Sequence, residues 1–173
     1  IFAADHGEMM GSHGRMAKGV IYDEALLVPF IMRYPAQLKP QINDLMIGAQ
    51  DIMPTLLGML GLADRLPDTV KGKNYSQGIL TGDFGSVQKP QSSFYFMLKE
   101  KGVRTDRYSY VVQKDGNYLL FDNIKDPYQQ TSLTLEEIPE KQAEFLKTEL
   151  GNWLKVSEDT WAKERKFANR INY

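Results

Sequence analysis

The chain contains no cysteine. Within these 173 residues that excludes disulfides, cysteine-ligated zinc and a cysteine nucleophile. Histidine is almost as scarce, with two residues, His6 and His13. Any imidazole chemistry therefore comes from one short stretch. No apolar run approaches the ~20 residues that cross a bilayer as a helix. Neither sign of charge is in excess: Lys+Arg is 21 and Asp+Glu is 22. That balance argues against a nucleic-acid binder or a polybasic membrane binder, which would carry surplus base. Initiator methionine and lead-in segment are also missing. The expectation is a C-terminal part of a larger enzyme, so the lack of a visible signal peptide carries no information.

What is present reads as an ordinary globular chain, at 42% hydrophobic and 25% charged residues, long enough for one domain or one with a small subdomain. Ile1–Ala4 is short and apolar and reads as the end of a buried strand. Asp5 to Gly19 is too rich in glycine for continuous regular structure, with a turn of helix predicted near Glu8–Met10. Tyr22–Leu27 gives one or two helical turns, and Val28 to Pro35 a strand closed by its proline. Leu45–Ile47 suggests another short strand. From Gln50 the residues Ile52, Met53, Leu56, Leu57 and Leu60 recur at helical spacing, with Pro54 placed in the first turn and Gly61 as C-cap. A short helix is expected at Tyr75–Leu80. After residue 90 the texture changes to aromatic and β-branched runs, Ser92–Leu98, Gly102–Gln113 and Asn117–Asp122, split by polar turns. These predict a small antiparallel meander. A helix follows from about Leu135 or Pro139 to Val156, with an apolar stripe of Phe145, Leu146, Leu150, Trp153 and Leu154. The basic tail of Lys163, Arg165, Lys166 and Arg170 reads as a solvated or frayed terminus.

The chemistry is concentrated in "IFAADHGEMMGSHGRMAKG". Asp5 and His6 are adjacent, one a carboxylate oxygen donor and the other an imidazole donor, and both suit a divalent ion. They leave the end of a strand, where open α/β sheets place ligand sites. Two ligands do not complete a site, and no second acidic or histidine cluster stands at ligand spacing. Lys18 is a cation on a glycine-flanked loop, suited to a tetrahedral oxyanion. The competing reading is a plain turn carrying a surface imidazole and a solvated lysine, and the residues alone leave both open. Glu8 and Arg15 either orient this loop or lie on the surface.

The stretch "ADHGEMMGSHGRMAKGVIYDEALLVPFIMRYPA" resembles the sulfatases of the alkaline phosphatase superfamily. Their strand delivers Ser-Asp-His-Gly-Glu, a lysine follows at the separation of His6 and Lys18, and a Tyr-Glu-Glu and Val-Pro-Phe-Ile segment comes next. Here those are Tyr22-Asp23-Glu24 and Val28-Pro29-Phe30-Ile31. The resemblance continues in the family's order through "QDIMPTLLGMLGL", "GVRTDRYSYV" and "LLFDNIKDPYQQTSL". Ala4 stands where the family has serine. Phe121-Asp122-Asn123 and Gln129-Gln130 also depart from its pattern, in a turn that bears on packing and not on chemistry. The nucleophile motif, Cys/Ser-x-Pro-x-Arg, whose first residue becomes formylglycine, does not occur in this chain.

The resemblance implies an α/β fold: the C-terminal part of an alkaline-phosphatase-like sheet, mostly parallel, plus a small antiparallel sheet packed by a C-terminal helix. It divides the chain into 1–88, the end of the catalytic domain, and 89–173, a C-terminal subdomain. It implies that Asp5 and His6 ligate a metal, calcium or another divalent ion, and that Lys18 is catalytic and binds sulfate. His13 is implied on the substrate side or just behind it. The formylglycine nucleophile is expected upstream, so these residues alone are expected to be inactive. The implied partner is a sulfated small molecule or glycan, with no nucleic acid and no transmembrane segment. A periplasmic, secreted or lysosomal compartment is the family's expectation, and exposed apolar edges would favour self-association. The rival activities are phosphonate or phosphate ester hydrolysis in the same superfamily, or no catalysis at all.

Overall fold

In the computed structural model the chain forms two compact units, one from Ile1–Ile31 and Phe94–Tyr173, the other from Met32–Ser93. Residues 1–164, 167 and 169–172 are described, with Ala162 and Lys163 through their backbone alone.

The first unit is built on a four-stranded meander, β3 (Ser93–Phe96), β4 (Glu100–Arg104), β5 (Tyr108–Gln113) and β6 (Tyr118–Asp122), paired in that order. The run expected as one strand from Gly102 to Gln113 is two. The break is a turn in which Thr105 Oγ1 donates to the Tyr108 carbonyl at 3.1 Å and accepts from the Tyr108 N–H at 2.9 Å. Register is fixed by pairs such as Val103↔Tyr110 and Tyr110↔Leu120. Strand side chains alternate between faces, and here both faces are covered. Tyr108, Tyr110, Val112, Val103 and Leu120 pack with the C-terminal helix. Val111 and Phe121 point the other way and pack with Ile21, Tyr95 and Leu26. That double cover explains why β5 is buried nearly end to end although its sequence includes Ser109.

The C-terminal helix, α4 (Glu140–Val156), presents Leu146, Leu150 and Leu154 to the sheet, all fully buried. Each contributes roughly 1.5–3 kcal/mol of apolar burial. Pro139 starts the helix, and Leu135–Glu137 forms a separate 3-10 turn closed by the Thr134 N–H on Glu137 Oε2 at 2.7 Å. Trp153 stacks on Phe94 at 5.7 Å between ring centres. The tail departs from the expectation of a frayed end. Trp161, Phe167 and Ile171 are buried in the same core, and Tyr110 donates its hydroxyl to the Arg170 carbonyl at 3.0 Å. Arg165 and Lys166, read as part of the solvated tail, lie outside the described residues.

At the N-terminus, β1 (Phe2–Ala3) pairs with β2 (Phe30–Ile31), and α1 (Asp23–Leu26) lies between them in sequence. The α/β fold with a small antiparallel sheet and a C-terminal helix is as expected. The β1–β2 pairing is antiparallel. One expectation needs correction: the first strand is not buried, and Ile1, Phe2 and Ile31 are 69%, 63% and 61% exposed, because a two-stranded ribbon has nothing on its outer side.

The second unit is held by α2 (Ala49–Met59) and α3 (Ser76–Thr81). Asp51 Oδ2 accepts from the Gly48 N–H and Oδ1 from the Lys73 N–H, and Thr55 Oγ1 accepts from the Tyr75 N–H. One turn apart on α2, the two side chains grip the 73–75 segment. The helix begins at Ala49, within one residue of the expected start, and Pro54 lies in its second turn and not in its first. Gly61 closes it as expected, with φ at 69°. Leu45 and Ile47 form no strand and instead pack against Met59, Tyr75 and Ile79.

The end of β6 carries a titratable contact. Asp122 Oδ2 accepts from Arg107 Nη2 at 2.7 Å and Nε at 3.1 Å, and its other oxygen accepts from the Ile124 and Lys125 N–H groups. Arg107 chiefly holds this carboxyl below its ordinary value, against the opposing effect of burial. A carboxylate depressed in the folded state stabilises above its unfolded value, near pH 4, and loses that contribution as pH falls through the native value. Arg107 is nearly half exposed, so solvent screens the pair. Asp122→Asn is expected to cost about 1 kcal/mol in urea unfolding at pH 7. The gap to the parent chain should close as pH falls below about 4, and a gap independent of pH would contradict the assignment.

Candidate functional site

The glycine-rich loop leaves β1 at Asp5 and is pressed at once against α1. The Gly7 N–H donates to the Ala25 carbonyl at 2.9 Å. A Cβ at Gly7 would sit 1.9 Å from the Glu24 carbonyl oxygen, so only glycine permits this approach. Further on, Met9 is buried and anchors a tight turn. In it the Gly11 N–H reaches the Arg15 carbonyl at 2.8 Å. The 3-10 turn falls at Ser12–Gly14, not at Glu8–Met10 as expected: Met10 takes a left-handed φ, which ends a right-handed turn there.

Asp5 and His6 face each other at the mouth of this loop. The His6 N–H donates to Asp5 Oδ1 at 3.0 Å, and His6 Nε2 lies 3.4 Å from Asp5 Oδ2. His6 Nδ1 is 2.8 Å from the Gly7 carbonyl oxygen. A carbonyl only accepts, so Nδ1 donates, and the bond turns Nε2 toward the exposed Asp5 carboxylate. Adjacent donors about 3 Å apart suit one divalent ion bound at about 2.0–2.5 Å. The donor set fits a metal in kind but is short in number. Among the described residues no three or more Asp, Glu, His or Cys side chains converge as a metal site.

Lys18 lies further along the loop, half exposed, with Nζ 3.5 Å from Glu8 Oε1. The ion pair is loose and solvated, so the ammonium retains donors for an incoming anion. Glu8 thus meets Lys18 rather than standing alone on the surface. His13 takes a different place from these three. Its ring stacks on Tyr22 at 3.8 Å, and its Nε2 lies 3.0 Å from the Tyr128 carbonyl oxygen.

Behind the loop is a polar network that the sequence signalled only as motif letters. Asp23 Oδ2 accepts from Arg104 Nη2 at 2.8 Å, and Oδ1 accepts from the Tyr95 hydroxyl at 3.3 Å. Burial, with Asp23 beside it, pushes the Tyr95 phenol up and keeps it protonated as a donor. Gln129, 1% exposed, accepts from the Asp23 N–H and donates to Asp23, Ser109 and Asn123. Ser12 donates to Glu24 Oε1 at 2.6 Å. Gln129 was visible in the sequence as a departure bearing on packing, and packing is its place.

Comparison with known proteins gives this loop a context. A family model described as N-sulphoglucosamine sulphohydrolase, C-terminal, matches residues 11–156. The chain is 34% identical to an endo-4-O-sulfatase of Bacteroides thetaiotaomicron over 100% of its own length and 38% of that protein's. It is 30% identical to an ulvan-active sulfatase of Formosa agariphila, over 100% of its length and 36% of that protein's. It thus spans little more than a third of these relatives. A solved structure from work on the metabolism of multiple glycosaminoglycans by Bacteroides thetaiotaomicron superposes with a TM-score of 0.89 at 32% identity, over 100% of this chain and 40% of that one.

The contact at Gly7 yields a direct test of the loop's foundation. Gly7→Ala places a methyl inside the van der Waals radius of a backbone oxygen that cannot swing away. The expected cost is about 2–3 kcal/mol. Faster amide exchange should appear at Gly7 and Leu27, whose N–H groups bond to α1 carbonyls. Unchanged unfolding and exchange would show that the loop does not rest on α1.

Proposed function

The chain belongs to the sulfatases, in the family described as N-sulphoglucosamine sulphohydrolase, C-terminal, and from that premise we propose that it is part of a sulfuric ester hydrolase whose active site takes Asp5, His6 and Lys18 from this chain. The observation that carries the reading is the Asp5 carboxylate set 3.4 Å from Nε2 of His6, with Lys18 on the same loop. In the proposed enzyme Asp5 and His6 hold a divalent ion, calcium by the family's pattern. Such an ion, when bound, draws negative charge off a sulfuryl oxygen. The hydrogen bond from His6 Nδ1 to the Gly7 carbonyl keeps Nε2 turned toward the metal position. Lys18 donates to a sulfuryl oxygen and exchanges its loose contact with Glu8 for the substrate anion. The nucleophile, formylglycine by the family's pattern, and the remaining ligands lie outside these residues.

The substrate class is proposed as a sulfated glycan or smaller sulfate ester. The names of the relatives support this, one an endo-4-O-sulfatase and another active on ulvan. Residues 1–88 are proposed as the end of the catalytic domain and 89–173 as a C-terminal subdomain. The exposed Ile1, Phe2 and Ile31 give the isolated chain a surface for self-association.

Calorimetric titration of calcium into the full-length enzyme tests the roles. Asp5→Ala is expected to remove most of the affinity and His6→Ala to weaken it. Lys18→Ala should leave binding nearly intact and slow sulfate ester turnover by about a hundredfold or more. Loss of calcium binding in Lys18→Ala with retention in Asp5→Ala would reverse the assignment. The 173 residues alone should not hydrolyse an aryl sulfate. Turnover that survives Lys18→Ala in the isolated chain would contradict the proposal.

A further inference from the structure

We infer that His13 is a positioning residue: it latches the loop bearing Lys18 to the Tyr128–Gln129 turn and does not bind sulfate. The inference rests on the reading of Lys18 as the cation that meets the substrate. The first ground is the hydrogen-bond inventory of the ring. Nε2 lies 3.0 Å from the Tyr128 carbonyl oxygen. That oxygen can only accept, so Nε2 is the protonated nitrogen. That N–H is committed to the backbone of a turn 115 residues away in sequence. The Glu24 carboxylate lies 4.0 Å from the same nitrogen, so this edge of the ring faces protein acceptors and not a sulfuryl oxygen.

The second ground is burial and stacking. The His13 side chain is 11% exposed, and its ring lies on Tyr22 at 3.8 Å with 13° between the planes. Lys18, five positions on, is 52% exposed. One side chain is built in and the other is presented.

The third ground is where the backbone is strained. His13 has φ 53° and Gln129 has φ 52°, values that cost a residue with a Cβ and persist where surroundings over-determine them. The two residues flank the same hydrogen bond, His13 as its donor and Gln129 next to its acceptor. Gln129 is held on its side by the Asp23 N–H, Asp23 Oδ1, Ser109 and Asn123. On the loop side Ser12 is held by Glu24. A buried anchor at Gln129 is thus connected, through the Tyr128 carbonyl and His13, to the loop that carries Lys18.

The test uses the full-length enzyme and two substrates, an aryl sulfate and a sulfated oligosaccharide. His13→Ala is expected to lower kcat by about tenfold to a hundredfold, the cost of misplacing a reacting group by about an ångström. The factor should be the same for both substrates, with KM within about threefold of the parent's. His13→Gln, whose amide can still donate to the Tyr128 carbonyl, should recover most of the loss. If His13 acts through Lys18, the double variant with Lys18→Ala should be no slower than Lys18→Ala alone. A loss in KM alone, factors that differ between the substrates, a glutamine as damaging as alanine, or fully additive losses would each overturn the latch. Should His13→Ala fold poorly in urea unfolding, Tyr22→Leu removes the stack on His13 while leaving an apolar side chain over Phe121, and should lower kcat a few-fold with KM held; no change in kcat would overturn it. Unimpaired turnover in Lys18→Ala would sink the underlying reading, whereas loss there with a fully active His13→Ala would sink the latch alone.

Discussion

Asp23 carries a charge into the interior and is met there on every side. Arg104 takes one oxygen, Tyr95 and Gln129 share the other, and Gln129 also accepts from its backbone N–H. A carboxylate so placed cannot lose one partner cheaply. Removing a single member of a partly buried pair leaves a charge short of partners, at a cost that solvent reduces but does not cancel. The partners come from β3, β4 and the turn after β6, so the contact exists only when the meander is assembled. Asp23 is the first residue of α1, and the glycine-rich loop hangs on α1 through Gly7. The site loop has almost no regular structure of its own and takes its shape from this one residue and what surrounds it.

The meander can serve as that foundation because both of its faces are packed. On one face α4 lays down Leu146, Leu150 and Leu154, and the tail adds Trp161, Phe167 and Ile171. On the other face Ile21, Tyr22 and Leu26 cover Val111 and Phe121. The segment that frames the site is thus itself a layer of the core. Strain stored at His13 and Gln129 is carried by this packing, in keeping with left-handed residues persisting where the surroundings over-determine them.

Much of this was legible in the sequence, and the reason lies in the range of the interactions. α2, α3, α4 and the meander were read from local periodicity, because each buries one face at a fixed repeat. The C-cap at Gly61 was legible because a left-handed terminus asks for glycine. The errors occurred where distant contacts decide. Gly102–Gln113 was split by a threonine side chain bonding its own turn. The basic tail was read as solvated, yet Phe167 and Ile171 dock on a core formed by strands far upstream. Leu45 and Ile47 pack as single side chains without a ladder. In the site, Asp5, His6 and Lys18 stood out because charged and imidazole groups are rare next to so much glycine. Asp23, Arg104 and Gln129 did not, since nothing local marks three polar residues that meet only after folding. His13 was visible as a residue and not as a role, because its hydrogen-bond partner is a backbone carbonyl, which no sequence pattern names.

The His6 ring is held by the bond from its Nδ1 to the Gly7 carbonyl, and the same glycine packs its backbone against α1. Nε2 is thereby turned toward the exposed Asp5 carboxylate, 3.4 Å away. An imidazole nitrogen and a carboxylate oxygen held toward one point are donor types that a divalent ion takes, and on that geometry the proposed metal role rests. The Lys18 ammonium, loosely paired with Glu8 on the same loop, is the cation proposed to meet the anion. A loop with almost no regular structure can hold these three groups in place because its backbone is pinned to α1 at Gly7 and buried at Met9.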